Sequence, residues 1–240
     1  YYDRIFGAAD HRLPMVRLRR SDWLDGIAVR MPGWLGDSVM ALPALMQIRM
    51  MVPEFCGLFV VAPPKLSGLF RALPWVDALV ELGSGRLWSA EEKRRLERLH
   101  AGIGLLLNNS LRDALFFRRC GVPRVFGASA RGNCLLLRKA FKFPAGAKIH
   151  HTARYLSMAY ALGAPEWEGA MPQLVPETEP EILGKEVFAA LAMERILVAA
   201  PGAAFGNAKR WPAAKFAEVC RWWVMEKGGS VAAVGSRDEW

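Results

Sequence analysis

Three strand-length, largely apolar stretches set the tightest limit on how this chain folds: IAVRM (27–31), GLFVVA (57–62) and GIGLLLN (102–108). Runs without polar alternation are what strands buried on both faces show. Helical stretches separate them, from Asp37 to about Met51, through Leu66–Leu73, and in the charged amphipathic EEKRRLERLH (91–100). VDALVEL (76–82) and VPRVFG (122–127) add two strand candidates, with a helix in LRDALFFRRC (111–120) closed by Gly121. This alternation predicts β-α units on a parallel sheet. Right-handed crossovers would then place the loops at 32–37 and 108–110 along one edge, at the strand C-terminal ends. Open α/β sheets bind ligands at that edge.

The rhythm continues with a helix over His151–Leu162. Residues 164–180 carry four prolines and alternating acids, which reads as an interdomain linker. Beyond it a fresh β-α-β begins: ILVAA (196–200), a Pro-Gly-rich loop, a helix over 212–227 and VAAVG (231–235). The expected organisation is a basic extension over 1–26, a first domain over 27–163, the linker over 164–180, and the start of a second domain over 181–240. The chain begins with Tyr and ends just after a strand candidate, so it reads as a fragment.

Composition narrows the class. Apolar residues make up 52% of the 240 and charged residues 23%, so a sizeable core is expected and disorder is not. No apolar run approaches the roughly 18 residues that span a bilayer, and residues 1–20 lack the apolar core of a secretory signal. Cys56, Cys120, Cys134 and Cys220 lie far apart without C-x-x-C or a His at ligand spacing, which favours free thiols over zinc or disulfides. The net charge of +9 points to an anionic partner. Its basic residues are spread along the chain without a nucleic-acid-binding motif.

Two loops carry the chemistry. In MPGWLGDSVM (31–40), Gly33 and Gly36 permit a tight turn, and Asp37 falls at or near a helix start, where the dipole favours a carboxylate. Spacing alone leaves Asp37 open between an N-cap and a functional acid. In PGAAFGNAKRWP (201–212), a glycine-bearing loop with Lys209 and Arg210 lies between a strand and a helix, a suitable cradle for phosphate. Lys209 can equally be a solvated charge, and Trp211 can stack on a base or pack in the core. Neither loop matches G-x-G-x-x-G or a Walker sequence.

Together these loops resemble one family, the lipopolysaccharide heptosyltransferases of glycosyltransferase family 9, and within it the heptosyltransferase II branch. PGAAFGNAKRWP and WLGDSVM are similar to that branch's loops, and NSLRDAL (109–115), GVPRVFG (121–127) and ARYLSMAYALG (153–163) fall in the same order. The resemblance covers about residues 27–240. It implies an α/β fold of GT-B type, with a complete N-terminal Rossmann-like domain and the first β-α-β of a second. It implies an inverting, metal-independent transfer of L-glycero-D-manno-heptose from ADP-heptose to the heptose/Kdo inner core of lipopolysaccharide. The absence of D-x-D fits that mechanism, and no cofactor or metal site is expected.

By the same resemblance, Asp37 is the general base. Lys209, Arg210, Gly202 and Ala203 bind the donor. Arg131, His150, Arg154, Asn109 and Ser110 meet the acceptor, although His150 can equally be a surface residue beside His151. The family's later donor-binding segment does not occur before Trp240, so this chain alone is expected to have little or no activity. The enzyme is expected in the cytoplasm, peripheral on the inner face of the inner membrane. Competing readings are a transferase of another sugar, a non-catalytic basic module that binds lipopolysaccharide precursors, and generic nucleic-acid binding.

Overall fold

A computed structural model of the chain describes residues 13–83, 85, 87–130, 132–144, 149–175, 186, 189, 195–203 and 209–235. The chain divides into two compact units, Tyr1–Glu177 and Thr178–Trp240. The first is built on a six-stranded sheet: β1 (Gly26–Arg30), β2 (Gly57–Ala62), β3 (Ala78–Glu81), β4 (Ile103–Leu106), β5 (Arg124–Ala128) and β6 (Lys139–Phe141). All neighbours are parallel, in the order β3-β2-β1-β4-β5-β6. The connecting helices are α1 (Leu35–Met51), α2 (Ser67–Arg71), α3 (Ala90–Glu97) and α4 (Leu111–Arg119), and α5 (His151–Ala161) follows β6.

The apolar strand runs are explained by helices on both sheet faces. Ile27, Val29, Leu58, Val60, Ile103, Leu105 and Phe126 pack against Ala41, Leu45 and Ile48 of α1 and Leu156 and Ala159 of α5. The alternate residues Ala28, Phe59, Val61, Leu106 and Val125 face Leu96 of α3 and Ala114, Phe116 and Phe117 of α4. Successive strand side chains point to opposite faces, so a strand covered on both sides is apolar at every position.

Local chemistry sets the helix ends. Ser89 caps α3, accepting from Glu92 N at 3.0 Å, while the Glu92 carboxylate reaches back to Ser89 N. Gly121, at φ +80°, follows α4 in the left-handed conformation that glycine adopts without a Cβ penalty.

β6 was not anticipated. Lys139–Phe141 has only three residues and no apolar run, and it pairs with β5 at the sheet edge. The stretch expected as a helix over Leu66–Leu73 is a 3-10 turn at Pro64–Leu66 followed by five helical residues. Residues 13–25 of the segment assigned to the extension pack on the first unit: Val16 N donates to Ala161 O at 2.7 Å, Trp23 is buried, and Asp22 pairs with Arg124 at 2.7 Å. Residues 164–175 of the segment assigned to the linker also lie against this unit, with Ala164 and Trp167 buried and Val175 N donating to Ala72 O at 2.7 Å.

The second unit contains β7 (Ile196–Ala199), α6 (Ala213–Lys227) and β8 (Ser230–Ala233), with β7 and β8 parallel. Pro212 is the N-cap of α6 and Gly228, at φ +62°, ends it.

Candidate active site

The strand order reverses between β1 and β4. The chain leaves β1 towards β2 on one side and leaves β4 towards β5 on the other, so the two connections diverge and open a crevice at the strand C-terminal ends. The loops expected at 32–37 and 108–110 border it, the first shorter than expected because α1 already begins at Leu35. Asp37 is the third residue of α1, behind Trp34 as N-cap, and its side chain is 29% exposed. It is therefore not itself the cap. Ser38 Oγ donates to Pro32 O at 3.0 Å and pins the loop that presents it.

On the β4 side, Ser110 caps α4, its hydroxyl accepting from Asp113 N at 3.1 Å. Asn109 is exposed beside it. Asn108 Nδ2 donates to Asp113 Oδ2 at 2.7 Å, and Asp113 also holds Arg30 at 2.7 Å beneath the crevice. The sequence reading missed this buried pair. Its signal was available, since Arg30 is the one charge within IAVRM, on the strand face turned towards α4.

The start of α5 supplies the other wall. His150 is its N-cap, with Nδ1 accepting from Thr152 N at 3.2 Å. The next residue, His151, turns to Asp37 instead, with Nδ1 3.1 Å from Oδ1. Sequence reasoning weighed His150 and passed over His151. Helical spacing would have placed His151 on one face with Tyr155, a turn further on. The His151 and Tyr155 rings meet edge-on at 6.3 Å. Tyr155 is buried, and burial pushes its phenol up to about 12; the Asp37 charge adds to the rise and Arg154 opposes it. At neutral pH Tyr155 is therefore a neutral phenol in the field of Asp37. Arg154 lies with its guanidinium 4.8 Å over the Phe143 ring.

Thus Asp37, His151, Arg154 and Tyr155 share one neighbourhood, and Asn109 and Ser110 share its sheet edge. Arg131 lies outside the described residues. Of the second loop, Gly202 and Ala203 are half-buried after β7, and Lys209 and Arg210 are exposed before α6. Residues 204–208 between them lie outside the described set. Trp211 is 48% exposed and edge-on to Phe216 at 5.1 Å, so it is not a core residue. Among the described residues, no group of three or more His, Cys, Asp or Glu side chains is placed to hold a metal ion. No described helix is long and apolar enough to cross a membrane.

The sequence model of glycosyltransferase family 9 (heptosyltransferase) matches residues 90–239. Lipopolysaccharide heptosyltransferase 2 of Salmonella typhimurium is 28% identical over 218 residues, covering 85% of this chain and 62% of the relative. Lipooligosaccharide heptosyltransferase 2 of Haemophilus influenzae is 29% identical over 223 residues, covering 87% and 63%. The chain thus spans less than two thirds of the length of these curated relatives. Among solved structures, E. coli ADP-heptose lps heptosyltransferase II superposes with a TM-score of 0.72 at 23% identity, over 88% of this chain and 65% of that one. A glycosyl transferase family 9 structure from Veillonella parvula gives 0.70 at 21% identity, over 88% and 62%. The fold is accordingly α/β of the GT-B type expected from the sequence.

Proposed function

The chain belongs to glycosyltransferase family 9, the heptosyltransferases, and from that premise we propose that the protein transfers L-glycero-D-manno-heptose from ADP-heptose to the heptose/Kdo inner core of lipopolysaccharide, with Asp37 as general base. The observation that carries the reading is the Asp37 carboxylate, part-exposed at the crevice where the strand order reverses and held by His151 at 3.1 Å.

In the proposed reaction an acceptor hydroxyl oxygen attacks the anomeric carbon of the donor sugar. Asp37 takes the hydroxyl proton as the new C–O bond forms. The bond from the anomeric carbon to the ADP oxygen breaks, and ADP leaves with its electron pair, so one displacement inverts the configuration. Proton removal by a positioned carboxylate typically contributes 10²–10⁴-fold. Lys209 offsets the charge that grows on the departing diphosphate, with Arg210 beside it and Gly202 and Ala203 allowing close backbone approach. Arg131, His150 and Arg154 meet the anionic groups of the acceptor, and Asn109 and Ser110 hydrogen-bond its sugars. Arg suits carboxylate and phosphate through its bidentate fork. The transfer requires no cofactor. A lipid-anchored acceptor and a chain of net charge +9 support a location at the cytoplasmic face of the inner membrane.

The test is a transfer assay on the full-length protein, with ADP-heptose and a Kdo2-lipid A acceptor already bearing one heptose. Asp37→Ala is expected to lower kcat by at least ~10²-fold with an unchanged circular dichroism spectrum. Turnover that survives the substitution removes Asp37 as the base. Acceptor binding without turnover in the wild type favours the non-catalytic module.

A further inference from the structure

The two consecutive histidines at the start of α5 have different duties. His150 spends its ring on the helix end, where Nδ1 accepts from Thr152 N at 3.2 Å. His151 has no part in that cap, is 55% exposed, and contributes nothing to the buried core. Its ring instead faces Asp37 Oδ1 from Nδ1 at 3.1 Å, across the packed pair α1 and α5. The contact spans 114 residues of sequence, so it exists only because α5 folds back onto the helix that carries Asp37.

We infer that His151 is the positioning residue of the base: it holds Asp37 through an Nδ1–H···Oδ1 bond, so that Oδ2 is the oxygen presented to the acceptor hydroxyl. The inference rests on the reading of Asp37 as base and assigns the partner that this reading lacks. An ionised carboxylate only accepts hydrogen bonds, so the contact requires the proton on Nδ1. The ring is then a donor towards Asp37, and when neutral it keeps a lone pair on Nε2. Fixing one carboxylate oxygen fixes the direction of the other, and a reacting oxygen displaced by about 1 Å costs on the order of 10²-fold in rate.

The groups around the ring support this assignment. Asp37 faces it from α1. Tyr155 stands edge-on at 6.3 Å from α5 itself, and its phenol, pushed up to about 12, stays neutral. Arg154 is the nearby cation on the same helix, and its guanidinium lies over Phe143 at 4.8 Å. Tyr155 supplies a wall and Arg154 is turned to an aromatic ring, and among the described residues His151 is the side chain found on the carboxylate.

Two measurements test the inference separately from the enzyme reading. The first is ¹⁵N-¹H correlation of the histidine rings of this chain at pH 8, with His151 assigned by its loss in His151→Asn. The expected wild-type form carries the proton on Nδ1, and Asp37→Ala returns it to the Nε2–H form. A wild-type ring protonated on Nε2 alone overturns the inference whatever the enzyme does. The second is kinetic, on the full-length protein. His151→Ala is expected to lower kcat roughly 10- to 100-fold while the acceptor KM changes less than about twofold. His151→Asn, whose amide stands where Nδ1 stood, is expected to recover to within about threefold of wild type. An unchanged kcat, a rise in acceptor KM alone, or an Asn variant as impaired as the Ala variant overturns the positioning role. Turnover that survives Asp37→Ala, with the Nδ1–H form intact in the wild type, would remove the base from the proposed function and leave only the pairing.

Discussion

Arg30 Nε donates to Asp113 Oδ2 at 2.7 Å, with both side chains almost wholly buried, at 5% and 4% exposure. The bond ties the last residue of β1 to α4, across the pair of strands where the order reverses. Arg30 also donates to Val61 O at 3.2 Å, and Asp113 collects Asn108 and Arg112. One buried carboxylate therefore organises both loops that border the crevice.

Removing one member of a buried pair strands the other charge, which typically costs about 3–5 kcal/mol. Asp113→Ala is expected to destabilise the first unit by about that amount, read from urea unfolding. Arg30→Met/Asp113→Leu is expected to recover part of the loss, because neither the Arg30 guanidinium nor the Asp113 carboxylate is then left buried and unpaired. A change below about 1 kcal/mol in Asp113→Ala would show that the pair does not hold the site edge together.

Lys209 gives a prediction about the donor. Lys209 is exposed before α6, and the proposed function gives it the donor diphosphate. A lost charge-assisted hydrogen bond costs about 1.5–3 kcal/mol, which corresponds to a roughly tenfold or greater rise in the dissociation constant for ADP. Calorimetric titration of ADP into the full-length Lys209→Ala protein is the measurement. Wild-type affinity in that variant would return Lys209 to the solvated charges of the surface.

The cysteines differ in reactivity for a physical reason. Burial, aided by the Glu97 charge, pushes the Cys120 thiol up to about 12, whereas Cys134 is exposed. Only thiolate attacks maleimide, so at pH 8 Cys134 is expected to label first and Cys120 only after unfolding. The same shift makes stability fall with rising pH. The unfolded chain releases the Cys120 proton near 9.0 and the folded one near 12, so above 9 the unfolded state binds fewer protons. The thiol's contribution is whole below about pH 9 and is lost as pH rises towards 12. Mass spectrometry of labelled protein and unfolding curves at pH 8 and 10, with Cys120→Ser as reference, read both effects.

Periodicity alone determined much of this protein. Continuous apolar runs such as GLFVVA and GIGLLLN fit strands covered on both faces, and their alternation with helices argues for parallel order. The loops at 32–37 and 108–110 fall on one edge for the same reason. The motif resemblance then named the family from PGAAFGNAKRWP and WLGDSVM. These properties are legible because they depend on residues near one another in the chain.

Tertiary structure decided what depends on distant residues. β6 has no apolar run of its own, and the open edge of β5 makes Lys139–Phe141 a strand. Arg30 and Asp113 are 83 residues apart, and His151 and Asp37 are 114 apart. No local pattern marks which of two adjacent histidines caps a helix and which reaches a carboxylate. One turns its ring back to its own backbone, and the other projects from the next helical position, where the packing of α5 on α1 presents Asp37. Local propensity writes the elements, but the direction of a side chain across an interface exists only once both elements are packed.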